Sequence, residues 1–433
     1  MSARFVDVDR NTPMLLPLDM REWVQGDDLV HFLVDALPLL DVSAARINHR
    51  GTGSQQYPPT MMLGLLIYCY ANGLFSSRQI ERATYQNLSV RYLAANTHPD
   101  HDTVAAFRRD NGPLLHSVFV QLLQLARQTG LLKWGVVALD GTKLQANAAK
   151  HKTRTAARLN AELAQLEAQV EELLARAQRA DQGDGDGDQL PEELSQAQAR
   201  RERLRQAKAQ LEAQARQRQQ EQAVQQQQRP PGDRRPPLPP QPRATDTINP
   251  TDPDSHLTRA QGRCLQGYNA QVAVSVQGLG LIVATDVVGD RTDRQQLQPM
   301  SAQIIRHVGA VEHLLVDTGY ENIRQVAAVE AAYGLTVLCP PAQVANAKAK
   351  VRTPGAWRRR RKEIRQQLRE RLQTPLGREL YRLRRCTVEP AIGNIKHVLG
   401  FVRFGLRGLQ KVKLEWQLVG LAFNCRRLAR VWG

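Results

Sequence analysis

The chain is 433 residues long, enough for about two to four domains of ordinary size. Hydrophobic residues make up 42% of it and charged residues 23%, a balance typical of a globular protein rather than a fibrous or disordered one. The formal net charge is +17, and residues 351–433 alone carry 21 Lys or Arg against 5 acids, a net of +16. Such a concentration of positive charge indicates a polyanionic partner, most simply a nucleic acid.

Cysteine usage and hydropathy exclude several other classes of protein. The five cysteines are odd in number, lie far apart and show no Cys-x-x-Cys spacing, which argues against a disulfide framework or a zinc cluster. The longest apolar run, Met61–Tyr70, is too short to cross about 30 Å of hydrocarbon, and Met1–Arg10 is too polar for a signal peptide. We therefore expect a cytoplasmic protein with no membrane contact and no small-molecule cofactor.

Residues 1–130 read as a helical N-terminal domain. Apolar spacing and helix-start signals predict helices from Leu29, from Pro58-Pro59, over Ser77–Asn87 and over Asp102–Gln128. Four arginines fall on the last two of these helices: Arg78, Arg82, Arg108 and Arg109. They suit either a small DNA-binding module or ordinary solvated helix surfaces, since no helix-turn-helix spacing stands out.

The composition changes after residue 130. Residues 131–149 contain Gly135–Asp140, a short continuous apolar run typical of a strand buried on both faces. Residues 150–245 are rich in Ala, Gln, Glu and Arg and read as an insertion: a coiled-coil hairpin followed by a Pro/Gln-rich linker. The first helix of the hairpin carries apolar residues at heptad spacing: Leu159, Leu163, Leu166, Val170, Leu173 and Ala177. The Gly/Asp stretch Asp181–Asp188 separates it from the second helix.

Strand-like sequence resumes in residues 246–433. Gly267–Val276 and Leu281–Val288 form a predicted β-hairpin, and the short strands His313–Asp317 and Leu335–Cys339 follow with helices between them. A basic helical region is predicted over Trp357–Arg385, and a C-terminal helix follows it. A three-strand meander followed by alternating helices and strands matches an α/β, ribonuclease-H-like mixed sheet with flanking helices. The same order of elements also fits other α/β folds.

Two acids stand at the ends of the short apolar strands. Asp140 and Asp317 would converge if their strands are neighbours, because sites of open α/β sheets are built at the carboxyl ends of strands. A third carboxylate from an adjacent helix, for which Glu389 is the best candidate, would complete an oxygen site for two Mg²⁺ or Mn²⁺ ions. The alternative is that these acids are turn residues, Asp140 being followed by Gly141. Asp286, Asp290 and Asp293 are interpreted as structural or solvated.

Several motifs in this frame resemble those of bacterial insertion-sequence transposases of the DDE class, most closely the insertion-sequence eleven-eighty-two type. The resemblance covers nearly the whole chain, including Tyr57-Pro-Pro59 near the start and Arg407-Gly408 with Trp416 near the end. The motifs that carry it are Asp140-Gly-Thr-Lys143 with Ala146-Asn-Ala148, Thr251-Asp-Pro-Asp254, Gly267-Tyr-Asn-Ala-Gln271, Val316-Asp-Thr-Gly-Tyr320, and Val388-Glu-Pro390 with Gly393-Asn-Ile-Lys396.

The resemblance implies that Asp140, Asp317 and Glu389 are the catalytic and metal-binding triad. It also places an Arg four residues before the Glu and a Lys seven after it, positions that Arg385 and Lys396 fill. On one helix Tyr381, Arg385, Glu389 and Lys396 fall within roughly 80° of arc, whereas Arg384 faces about 100° away from Arg385. Pro390 predicts a kink or a restart of the helix at that point.

The leading hypothesis is therefore a transposase that cuts the terminal inverted repeats of a mobile element and joins them to target DNA. Its partners would be double-stranded DNA and a second copy of the chain, although an antiparallel hairpin could bury its leucines without a dimer. Arg385, Lys396 and Tyr381 are expected to hold the strand phosphates beside Glu389. Lys143 and the run Arg358, Arg359, Arg360 and Arg361 are expected to bind the DNA backbone. The rival hypothesis is a non-catalytic DNA-binding or scaffold protein derived from a transposase.

Overall fold

The computed structural model describes residues 19–48, 55–180, 190–227, 236–260, 262–342 and 355–432. The chain forms two compact units, one of Met1–Val118 with Cys425–Gly433 and the other of Phe119–Asn424. In the described part of the chain no helix is both long enough and apolar enough to cross a membrane.

The first unit is helical. Its helices are α1 (Leu29–Ala36), α2 (Pro59–Ala71), α3 (Ser77–Gln86), α4 (Leu88–Leu93) and α5 (His101–Asp110), and α6 (Gly112–Gln128) begins in this unit and runs on into the second. The single helix predicted over Asp102–Gln128 is thus two helices. Asn111 ends α5 by donating its side-chain amide to the Phe107 carbonyl at 3.0 Å, and Pro113 suits only the first turn of a new helix.

Helix α2 is the core of this unit, since every residue from Met62 to Ala71 is buried. Arg108 is also buried, and its guanidinium donates to the Tyr70 hydroxyl at 2.7 Å and to the Phe75 carbonyl at 2.9 Å. Arg108 therefore stabilises the unit itself. Arg78, Arg82 and Arg109 are exposed.

The second unit is built on a mixed sheet, which confirms the α/β architecture. Its strands, with a separate two-stranded ladder of β2 and β3, are β1 (Leu132–Gln145), β2 (Arg154–Thr155), β3 (Thr247–Ile248), β4 (His256–Ala260), β5 (Arg263–Gly278), β6 (Ile282–Val288), β7 (His313–Leu315) and β8 (Thr336–Leu338). The sheet order is β4-β5-β1-β7-β8, with β6 also paired to β5. Strand β1 is antiparallel to β5 and parallel to β7, and β7 is parallel to β8.

Strand β1 is the central strand of this order, and its sequence shows why. Val136–Leu139 are each at most 4% exposed, as expected for a strand covered on both faces. The strand is longer than the apolar run predicted from sequence, because its more polar second half pairs with β5 as far as Gln145. The backbone hydrogen bonds to β5 thus extend the strand over residues 141–145, whose side chains do not form the apolar run that predicted it.

The helices of the second unit cover this sheet or extend from it. They are α7 (Ala156–Ala180), α8 (Leu190–Gln227), α9 (Leu297–Val308), α10 (Ile323–Tyr333), α11 (Gly355–Gln373), α12 (Pro375–Gly393) and α13 (Leu409–Ala429), the last of which ends in the first unit. The basic region predicted as one helix is two, α11 and α12. Thr374 separates them: its hydroxyl accepts the Gly377 amide proton at 2.9 Å, and Pro375 occupies the first turn of α12.

Helices α7 and α8 pack side by side and bury the heptad-spaced residues of α7 within one chain. Leu159, Leu163 and Leu166 pack with Leu204 and Leu211 of α8. Val170 and Leu173 pack with Ala197, nearer the start of α8, so the two helices are antiparallel. The turn predicted at Asp181–Asp188 lies outside the described residues. Because these leucines are already covered, a dimer of this protein does not need them as an interface.

Leu166 and Leu174 offer a matched test of this packing. Leu166 is 5% exposed and Leu174 is 42% exposed on the same helix. Leu166→Ala leaves a cavity between α7 and α8, and we expect it to lower the free energy of unfolding of the hairpin by about 2–5 kcal/mol. Leu174→Ala should change it by less than about 0.5 kcal/mol. Thermal denaturation followed by circular dichroism measures both, and equal effects would show that α7 does not pack as described.

Candidate active site

Asp140 on β1 and Asp317, two residues past the end of β7, occupy equivalent positions relative to the pairing of these neighbouring parallel strands. Ala138 of β1 is paired with Leu315 of β7, and each acid follows its strand partner by two residues. Paired strands lie about 4.8 Å apart, so the chain brings both acids to the same edge of the sheet two residues after the last pair. The structure thus brings together two residues that are 177 positions apart in the sequence.

Both carboxylates are held by backbone amides of the residues that follow them. Asp140 Oδ1 accepts from the Gly141 amide, and Asp317 Oδ1 accepts from the Gly319 amide, each at 2.9 Å. The pKa of Asp140 is raised to about 6, chiefly by burial; the Arg384 charge opposes this rise, and the charges of Asp317 and Asp293 contribute to it. Burial also raises the pKa of Asp317, and the Asp293 charge adds to this. The raised pKa values show that the nearby positive charge and amide donors do not fully stabilise the ionised forms of Asp140 and Asp317.

Arg384 is the side chain that links these strands to Glu389. Its Nη2 lies 2.8 Å from Asp140 Oδ2, and its Nη1 donates to Glu389 Oε1 at 3.2 Å. Arg384 is only 6% exposed and lies on the buried face of α12, between Leu380 and Val388. A buried guanidinium is stable only when it is paired, and the two carboxylates supply the partners. The Arg384 guanidinium thus pairs with both Asp140 and Glu389.

The arginine at the centre is therefore not the one that the sequence prediction emphasised. Arg385, expected to flank Glu389, is exposed on the outer face of α12, about 100° around the helix from Arg384. The signal for Arg384 was present in the sequence, because Leu380, Arg384 and Val388 follow one another at intervals of four. An arginine within an apolar stripe indicates a buried acid opposite it.

The helix does not restart at Pro390, which was one of the two outcomes predicted there. Helix α12 continues through Pro390 to Gly393, and a wider π-helical turn over Asn394–Val398 follows directly. Lys396 lies on this turn, where its Nζ donates to the Lys143 carbonyl of β1 at 3.3 Å. Proline removes one amide from the helix, and the loosened turn after it accommodates the close approach to β1.

The other residues predicted for DNA or phosphate binding differ in how exposed their side chains are. Tyr381 is half-buried, and burial raises the pKa of its hydroxyl to about 12. Lys143 is also half-buried; burial lowers its pKa, and its Nζ has no hydrogen-bond partner within the described ranges. Arg359, Arg360 and Arg361 are exposed near the start of α11. The side chain of Arg358 lies outside the described residues.

Two other arginines of α11 point inward, which the sequence analysis did not foresee. Arg365 holds Glu321 through two hydrogen bonds, Nε to Oε1 at 2.5 Å and Nη2 to Oε2 at 3.0 Å. Arg371 pairs with Glu330 of α10 in the same way. Glu321 is 5% exposed and follows Asp317 by four residues. These pairs fix α11 against the segment that carries Asp317.

The donor atoms at this edge suit a divalent cation of the Mg²⁺ type. All the candidate ligands are carboxylate oxygens, and apposed carboxylates that raise one another's pKa are stabilised by a cation between them. As the side chains stand, no three His, Cys, Asp or Glu side chains in the described ranges are close enough to share an ion. Arg384 lies between Asp140 and Glu389, so its guanidinium must move for those two carboxylates to bind the same ion.

Two protein families match this chain. Residues 338–429 match the family described as the transposase DDE domain, and residues 18–110 match the transposase domain (DUF772). No curated protein matches the chain. The first match contains Arg384, Glu389 and Lys396, whereas Asp140 and Asp317 lie outside both. Both matches are to transposases and confirm the resemblance to insertion-sequence DDE transposases; the eleven-eighty-two type stays a prediction.

Arg384 and Arg385 can be compared directly as neighbours on one helix. Arg384→Ala removes the partner of two carboxylates, one of them largely buried, and we expect it to lower the free energy of unfolding by about 3–5 kcal/mol. Arg385→Ala removes an exposed side chain and should change it by less than about 0.5 kcal/mol. Chemical denaturation without divalent metal gives both values. An unchanged stability of Arg384→Ala would contradict the ion pairs described above.

Proposed function

We propose that this protein is a DDE transposase that cuts DNA at the terminal inverted repeats of an insertion sequence and joins the freed 3′-hydroxyls to target DNA. The observation that carries the proposal is that Asp140 and Asp317 lie at one edge of the sheet while Arg384 pairs with both Asp140 and Glu389. The two transposase matches and the positive charge of residues 351–433 support it. As a DNA-bound protein of a bacterium it would act in the cytoplasm, at the nucleoid.

The sheet supports this proposal through the order of its strands. Taken in chain order, β1, β5 and β6 form an antiparallel meander, and β7 and β8 add parallel strands on the other side of β1. We propose that this is the ribonuclease-H-like arrangement, interrupted between β1 and β5 by an antiparallel coiled coil of α7 and α8. In it the first and fourth strands of the core are neighbours, which brings Asp140 and Asp317 to one edge.

In this proposal Asp140, Asp317 and Glu389 hold two Mg²⁺ or Mn²⁺ ions. Bound there, the ions activate the attacking oxygen and stabilise the leaving oxygen of the phosphodiester. The amides of Gly141 and Gly319 orient the two aspartates, each through one oxygen. Arg384 neutralises Asp140 and Glu389 when no ion is bound, and Lys396 adds positive charge near Asp140.

DNA would approach along the exposed face of α12. Arg378, Arg382 and Arg385 are exposed and lie with Glu389 within about 60° of one another around the helix. The three arginines, hereafter the α12 stripe, follow one another at about one turn of the helix. No described side chain is ion-paired with any of them, in contrast to the inward arginines of α11. A row of unpaired guanidiniums that leads to a catalytic carboxylate is suited to bind strand phosphates.

The second candidate function is a DNA-binding or scaffold protein without catalysis. It predicts binding of DNA by the same basic surfaces but no need for the three acids. All three acids are present in the sequence, and the pKa of Asp140 is raised to about 6, chiefly by burial. Because burying an acid is unfavourable for folding, its presence favours the enzyme. A homodimer on DNA is part of the proposal, since two transposon ends are cut together. Its interface would lie outside the buried leucines of α7.

Removal of the carboxylates tests catalysis. Asp140→Ala, Asp317→Ala and Glu389→Ala should each lower the rate of Mg²⁺-dependent cleavage of a duplex carrying the transposon end by more than about a hundredfold, because ligands of the ions are lost. Arg200→Ala, an exposed position of α8, should cut at the normal rate. Cleavage is measured on labelled DNA in a denaturing gel. Normal cutting by the Asp140 or Asp317 variant would refute the assignment.

The α12 stripe is tested by binding rather than cleavage. Arg378→Ala with Arg382→Ala should weaken DNA binding uniformly across sequences and reduce the slope of log affinity against log salt by about two, one for each phosphate contact. The matched control is Arg259→Ala with Arg263→Ala, two exposed arginines of β4 and β5. Fluorescence anisotropy at several salt concentrations gives the slopes. Equal slopes for the two double variants would remove the stripe from the DNA path.

A further inference from the structure

Asp293 lies at the same edge of the sheet as the proposed triad, although its sequence suggested a structural role. Helix α9 begins at Leu297, so Asp293 belongs to the loop between β6 and α9. Its Oδ1 accepts two hydrogen bonds, from Asn269 Nδ2 and from Gln271 Nε2, each at 2.7 Å. One oxygen of this carboxylate is therefore fixed by two neutral amides.

These amides place Asp293 directly beside Asp140. Gln271 and Asn269 are the register partners of Gly141 and Lys143 on β1. A β-carbon at Gly141 would overlap Asp293 Oδ1, so the residue after Asp140 has to be glycine for this carboxylate to lie there. Gln271 is in turn fixed, because its Oε1 accepts the hydroxyl proton of Tyr320.

The second oxygen of Asp293 faces the segment that follows Asp317. A β-carbon at Gly319 would lie 3.0 Å from Asp317 Oδ1 and 3.5 Å from Asp293 Oδ2, so the two carboxylates approach the same point. Arg384 compensates the charge of Asp140 and Glu389 through ion pairs. Among the described residues no ion pair is made with Asp293 or Asp317.

A buried polar atom next to Asp293 indicates that a cation belongs here. Asn269 is 2% exposed, and while its amide nitrogen donates to Asp293, its Oδ1 has no hydrogen-bond partner in the described part of the chain. A buried carbonyl oxygen without a donor costs free energy comparable to a lost hydrogen bond. Amide and carboxylate oxygens are the ligands that Mg²⁺ and Mn²⁺ prefer. Asn269 Oδ1, which has no donor, and the second carboxylate oxygens of Asp293 and Asp317, for which no hydrogen bond is recorded among the described residues, are thus the oxygen ligands offered here.

We propose that Asp293 is a fourth carboxylate of the active site and that, with Asp317, it holds one of the two divalent ions. This inference rests on the proposed function, because it assigns a further ligand to the same metal-dependent site. It divides the edge into two sides. Asp140 and Glu389 form the side that Arg384 occupies in this structure. Asp293 and Asp317 form the other side, where the charges of Lys143 and Arg384 act on them but no ion pair is made among the described residues.

The purely structural interpretation of Asp293 makes a different prediction for one conservative change. In Asp293→Asn the remaining carbonyl oxygen still accepts from Asn269 and Gln271, so the local fold is kept. The oxygen that faces Asp317 becomes an amide nitrogen, which cannot ligate a hard cation. A structural residue would tolerate this change, whereas a metal ligand would not.

The experiment counts Mn²⁺ bound to the full-length protein without DNA, by the electron paramagnetic resonance signal of the free ion. We expect Asp293→Asn either to bind one ion fewer than the wild type or to bind one ion at least about tenfold more weakly. Glu312→Gln removes an exposed acid at the opposite end of β7 and should bind Mn²⁺ as the wild type does. Thermal denaturation without metal should show all three proteins folded.

The outcomes separate this inference from the proposed function. If the wild type binds Mn²⁺ and cuts DNA, and Asp293→Asn binds Mn²⁺ with unchanged number and affinity, the inference is wrong while the transposase proposal stands. If the wild type binds no Mn²⁺, both fail. If Glu312→Gln loses binding to the same extent, the effect is one of net charge and the inference is also wrong.

Discussion

Buried negative charge at one edge of a sheet is the constraint on which the rest of this structure depends. Asp140 on β1 and Asp317 just after β7 lie at one edge of two parallel strands, and the three residues before each acid are buried and apolar. Each carboxylate loses hydration, and each makes ionisation of the other less favourable. Such an edge is stable only with compensating positive charge, and Arg384 supplies it from a helix that would otherwise present an apolar face.

This requirement explains the two faces of α12. The inner face carries Leu380, Arg384 and Val388, and it joins the helix to the sheet both by packing and by the ion pair with Asp140. The outer face carries the α12 stripe, which leads to Glu389. Glu389 is half exposed and also pairs with Arg384 of the inner face. Glu389 therefore lies where buried charge compensation meets a surface suited to phosphates. Arginine is the appropriate residue on both faces, because its guanidinium pairs with two oxygens at once.

The insertion between β1 and β5 leaves this site intact for a topological reason. The last residue of β1, Gln145, is paired with Gly267 of β5, so the two strands are joined by their ladder whatever lies between them in sequence. Helices α7 and α8 bury their own leucines, and the short ladder of β2 and β3 closes the base of the pair. A long segment can therefore be added without removing apolar contacts from the sheet.

The sequence by itself determined the elements and the acids, and only the tertiary structure decided how the charges are shared. Continuous apolar runs identified β1 and β7, and the acids at their ends followed, because burial on both faces leaves a local signature. Helix breaks at Asn111 and Thr374 were missed, although local capping explains them, because apolar periodicity continues across both. Arg384 has only the local signal of an arginine within an apolar stripe, which does not name its partners, and Asp293 has none. Their partners lie on other strands and helices, and the energy of a buried charge depends on those partners rather than on its neighbours in the chain.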